Sequence, residues 1–150
     1  MERRELLMLG GLALAGATAP ETGMAQIQPY KGWTSFLHVW TDANGVGRAE
    51  HVPLVKAVKP IPITQMSIRR VVPEFIDWRH PAAPQFVVTL VGETEVEVSD
   101  GTRLGLPPSH LAYLEDMTGK GHITRLKNVT NLYLQTPPGF DVRRWASGEA

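Results

Sequence analysis

The chain has 150 residues, a hydrophobic fraction of 43%, and fifteen basic against fifteen acidic side chains, so its formal charge is zero. That balance argues against nucleic-acid and anionic-membrane partners, which call for a basic excess, and the apolar content argues against disorder. There is no cysteine, which excludes disulfides, thiolate zinc sites and a cysteine nucleophile; any metal must rest on histidine, carboxylate or amide oxygen.

Residues 1–25 read as a cleaved export signal. Arg3 and Arg4 give a positive start, and residues 6–19 are uncharged and rich in Leu, Ala and Gly. As a helix that run spans about 21 Å, short of the ~30 Å hydrocarbon core that an anchor must cross. Gly23-Met24-Ala25 before Gln26 offers a small-x-small cleavage site. Arg3-Arg4-Glu5-Leu6-Leu7 resembles the twin-arginine signal, with the general secretory route as the alternative. The reading is a periplasmic or secreted domain over residues 26–150, with no stable membrane anchor after cleavage.

From Gln26 onward the pattern is β. Twelve prolines and fourteen glycines cut the chain into short pieces, and no helical periodicity runs to a useful length. Residues 36–41 read as a strand, Asp42-Ala43-Asn44-Gly45 as a turn, and residues 48–55 as the returning strand. Residues 56–62 are a proline-spaced connection or edge, and residues 64–72 another strand. Residues 86–91 form an apolar run, Gly92-Glu93 a turn, and residues 94–98 alternate, with Val96 and Val98 opposite Glu95 and Glu97. Residues 111–114, 122–126 and 129–135 supply three more strands, parted by residues 116–121 and by Lys127-Asn128. Eight or nine short strands at close intervals point to a sandwich or a closed barrel.

Residues 78–137 resemble a cupin. The first cupin motif carries two histidines, a glutamate and a closing glycine; Trp78, His80, Gln85 and Gly92 fall on those positions. In the second motif, Gly119-Lys120-Gly121-His122 ends in the metal-binding histidine, and residues 111–122 are similar to a segment of small uncharacterised cupins. The resemblance implies a jelly-roll β-barrel. It implies one divalent metal, Mn, Fe, Ni or Zn, on His80, Gln85 and His122. Two departures stand out: Trp78 replaces a histidine and Gln85 the glutamate, so no carboxylate offsets the ion. Because cupins host many chemistries, three readings stay open. One is a metal-dependent lyase, isomerase or dioxygenase acting on a small oxygenated molecule. Another is a metal-free protein that binds such a molecule through Gln85 and His122. The third is a structural or accessory exported domain with no ligand.

Period-2 alternation puts His122 inward with Thr124 and Leu126, and Gln85 with Val87, Thr89 and Val91. Trp78 is a candidate aromatic wall of the cavity. Glu115 is a candidate acid or base if it faces inward, while Asp116 beside it reads as solvated. His38, His51 and His110 read as surface positions. Residues 36–72 offer strands for a homodimer.

Overall fold

The structure, a computed structural model, describes residues 34–55 and 58–149; the expected export signal lies outside the described residues. Over the described residues the fold is all-β, with eight strands and one short helix. β1 (Ser35–Thr41) and β2 (Gly47–Pro53) form an antiparallel hairpin. Its turn is built by Asp42, whose Oδ1 accepts from the backbone N–H groups of Asn44 and Val46 at 2.9 and 3.0 Å. The tight return needs a left-handed residue, and Gly45 supplies it at φ +78°.

β3 (Gln65–Arg70) and β4 (Phe75–Arg79) follow the proline-spaced connection. β5 (Gln85–Val98) and β8 (His122–Gln135) are fourteen residues each, with β6 (Arg103–Leu106) and β7 (Leu111–Leu114) between them. The sheet order is β2-β1-β7-β5-β8-β3, with β4 added to β8 and β6 to β5. β1 and β7 run parallel and the other pairs antiparallel.

The two expected turns at Gly92-Glu93 and Lys127-Asn128 are bends inside single strands. β5 and β8 pair from end to end, with register shifts between Thr89 and Glu93. There Gly92 takes φ +82°, and a Cβ on it would collide with the backbone of Lys127 and Asn128; Asn128 is itself left-handed at φ 51°. These bulges fold the sheet. The first half of β5 pairs with β7 and the end of β8, and its second half pairs with β6 and the start of β8.

Between the halves, Leu37, Val39, Val87 and Ala112 meet Val96, Val98 and Leu106. Val96 and Val98 point inward as the alternation requires. The sheet does not close into a barrel, because β2 and β3 remain its ends. β4 and β6 carry weak apolar signals and were not expected as strands. Nor was helix α1 (Val142–Ala146), capped by Asp141, since one helical turn is too short to show periodicity. On the outer face α1 packs Val142 and Trp145 against Phe36, Phe86 and Tyr113. The Trp145 indole N–H donates to the Lys59 carbonyl at 2.7 Å.

Candidate functional site

Between the folded halves lies a cavity of about 70 Å³, room for about five waters. Apolar side chains from both halves, valines and leucines with Ile76 and Pro81, make just over half of its lining residues. Into it come the polar side chains of Gln85, Thr94, His122, Asn131 and Tyr133, with Arg79 at its exposed edge. Cross-strand pairing explains the grouping. His122 pairs with Val98 of β5 and with Arg79 of β4, and paired residues share a face. The turn before His122 depends on Gly121, at φ +73°, where a Cβ would strike the Arg79 carbonyl and the His80 backbone. Only glycine lets β4 approach β8 closely enough to bring Arg79 beside His122.

His122 is 5% exposed and Asp116 not at all. The ring Nδ1 lies 2.7 Å from Asp116 Oδ2. A carboxylate is acceptor-only, so Nδ1–H donates and the proton of the neutral ring is fixed on Nδ1. In that neutral ring Nε2 is the unprotonated nitrogen, and the His122 side chain lines the cavity. Asp116, expected to be solvated at a turn, is thus the second half of a buried carboxylate–imidazole pair. Its burial is the correction that most changes the site. A turn carboxylate six residues before a histidine carries no periodic signal that could have revealed the contact.

Asn131, 3% exposed, adds a second acceptor. Its amide nitrogen donates to the Tyr133 hydroxyl at 3.3 Å, while Oδ1 is buried with no partner among the described residues. A buried carbonyl without a donor costs about 1–3 kcal/mol, so the site is suited to a molecule that supplies one. Sequence reasoning missed Asn131, one of several polar residues along β8.

Of the residues expected to hold a metal, Gln85 and His122 line the cavity and His80 does not. A β-bulge between Ile76 and Arg79 shifts the register of β4, so that Arg79, not its neighbour, takes the inward position. A one-residue slip reverses the face. His80 is exposed, and its Nε2 donates to the Gly119 carbonyl at 3.1 Å. Trp78, turned outward by the same bulge, is 37% exposed under the Lys120 ammonium, 5.6 Å from the ring centre.

Glu115 also lies outside the cavity lining. His38 Nε2 donates to its Oε1 at 2.6 Å on the opposite face of the sheet. His38, expected at the surface, is buried and stacked on Trp40. His110 is buried as well, while His51 is exposed.

The donor set fits a divalent ion poorly. It offers one imidazole nitrogen and two neutral amides, its carboxylate is spent on His122, and the cationic Arg79 pairs with that histidine across β4 and β8 and lines the same cavity. Among the described residues no group of three or more His, Asp or Glu side chains is placed to hold an ion. No protein-family model matches the chain, and no curated protein matches it.

Proposed function

We propose that the chain is an exported, cupin-like binding protein that takes a small oxygenated molecule into the folded sheet without a metal, with His122 Nε2 as the acceptor of its proton. One observation carries this reading: the buried Asp116–His122 pair, which fixes the imidazole's tautomer and aims a lone pair at a cavity too small for a large ligand. Gln85 and the unpartnered Asn131 Oδ1 supply further hydrogen bonds. A carboxylate-oriented histidine can act as a general base on a substrate with an acidic proton, so the same geometry serves binding or proton transfer.

The cupin-like and jelly-roll assignments draw on the bent β5–β8 pair, on Gly92 at the bend and on the Gly-x-x-His turn. Plasma-source mass spectrometry after exposure to Mn, Fe, Ni and Zn tests the reading. The expected result is no metal above the level of a His122→Ala variant. Stoichiometric, His122-dependent metal would replace it with a metal-enzyme reading.

Export and pairing belong to the same proposal. Arg3, Arg4 and the apolar run after them support a signal removed before Gln26. A homodimer is supported by the outer face of the edge strand β3. Met66 and Ile68 are 67% and 62% exposed beside their partners Leu134 and Leu132, a run of apolar surface of the kind that marks association. Light scattering that returned a dimer mass, and a monomer for Ile68→Glu, is the expected result.

A further inference from the structure

We infer that the molecule bound in this cavity is a small hydroxylated carboxylate, held through its anionic end by Arg79 and through its hydroxyl by His122. The inference rests on the metal-free reading above and narrows it to a substrate class.

The charge of the lining leads to it. Among the described residues Arg79 is the one permanently charged side chain of the cavity wall, and Asp116 is bonded to His122 outside that lining. The other arginines of the β4, β6 and β8 region are committed: Arg103 and Arg125 to Glu95 and Glu97, at 2.5–3.7 Å. Arg79 has no carboxylate partner among the described residues. Its backbone is fixed against Gly121, and its register with His122 holds its side chain on the cavity's face. A guanidinium so placed is a fork for a carboxylate.

The hydrogen-bond inventory then supplies the rest of the ligand. Two acceptors are free at the wall, His122 Nε2 and Asn131 Oδ1, and the second is a fully buried atom with no donor. Hydroxyl groups answer both. An amine would answer them too, but its charge would stand next to the guanidinium. The volume of about 70 Å³ limits the molecule to about five to seven non-hydrogen atoms, by comparison with the waters it would displace. A two- or three-carbon hydroxy acid meets all three conditions; a sugar or a nucleotide does not.

The test is calorimetric titration and thermal unfolding of the full chain, at constant ionic strength, with glycolate, glycerate, acetate, glycerol and ethanolamine. Glycolate or glycerate is expected to bind about tenfold or more tighter than acetate and glycerol, the worth of one charge-assisted or one hydroxyl contact in a dry site. Arg79→Gln should remove about tenfold of the hydroxy-acid affinity and leave glycerol unchanged, and Arg79→Lys should restore part of it. Residue 79 is exposed, so these variants keep the fold, checked by an unchanged unfolding temperature without ligand. Equal binding of glycerol and glycerate, full affinity in Arg79→Gln, or no binding by any of the five would overturn the inference. Glycerol binding that depends on His122 and is as tight as that of the hydroxy acids would sink the charge argument alone and leave the metal-free cavity standing. A divalent ion that stabilises the chain through His122 would sink both.

Discussion

Asp116→Asn isolates the feature on which the site is built. Asp116 is wholly buried, and its one side-chain hydrogen bond is the 2.7 Å contact to His122 Nδ1. Hydrogen bonds to a charged group contribute about 1.5–3 kcal/mol net, and neutral ones about 1 kcal/mol. Asparagine preserves the shape and keeps one carbonyl oxygen, so it loses the difference. It also places an amide N–H₂ where Oδ1 now has no partner, a buried donor that costs about 1–3 kcal/mol. Relief of the buried negative charge offsets part of this. The expected loss is about 1–3 kcal/mol, or about 4–12 °C in Tm for a domain of this size.

Reversal of the amide would avoid the stranded donor only by presenting N–H₂ to His122, which drives the ring proton to Nε2 and destroys the cavity acceptor. The reversed amide weakens ligand binding, and the unreversed one lowers stability. The assay is thermal unfolding alongside ligand titration, with Glu115→Gln as comparator, because Glu115 is bonded to His38 outside the cavity. An Asp116→Asn protein with wild-type Tm and wild-type affinity would refute the reasoning.

Three further outcomes follow from the geometry. Gly121→Ala forces a side chain onto the Arg79 carbonyl at a positive φ; strain of about 1–3 kcal/mol plus the clash should lower Tm and part β4 from β8, seen as faster hydrogen exchange at Arg79 and His122. Trp78→Ala and His80→Ala should leave ligand affinity within about twofold of wild type, since neither residue lines the cavity, where a metal-site reading expects His80→Ala to abolish it. Tyr113, buried so that its phenol is pushed from 10.0 up to about 12 against a smaller opposing pull from the Thr136 hydroxyl, should ionise well above the ordinary tyrosine range in an ultraviolet titration. The folded state holds that proton more tightly than the unfolded chain does, so the contribution is complete below pH 10 and fades as pH rises towards 12; Tyr113→Phe should remove that alkaline loss.

The strands were legible in the sequence where alternation is strict. Val96 and Val98 against Glu95 and Glu97 gave the inward face of β5, and His122 with Thr124 and Leu126 gave that of β8. What alternation cannot see is a bulge. Gly92 and Lys127-Asn128 look like turns because a left-handed glycine and a short polar pair are turn chemistry, yet here they bend two long strands that stay paired. The bulge in β4 exchanged Arg79 for His80 at the cavity, which moved one expected ligand out and brought a cation in.

Gln85 and His122 could be placed because each sits on a regular stretch of strand. Asp116 could not, since its burial is decided by where the turn of residues 115–121 folds back, a long-range contact with no local signature. His38 was read as a surface residue for a similar reason: its burial comes from Trp40, Tyr113 and Glu115, two of which lie more than seventy positions away.

The central claim, a histidine locked by Asp116 with its lone pair on the cavity, is tested most directly by long-range ¹⁵N–¹H correlation NMR of the histidine rings at neutral pH. The account predicts that His122 carries its proton on Nδ1, that Nε2 is unprotonated, and that added zinc leaves the pattern unchanged. A His122 ring protonated on Nε2, or one whose Nε2 signal shifts on stoichiometric zinc, would contradict it.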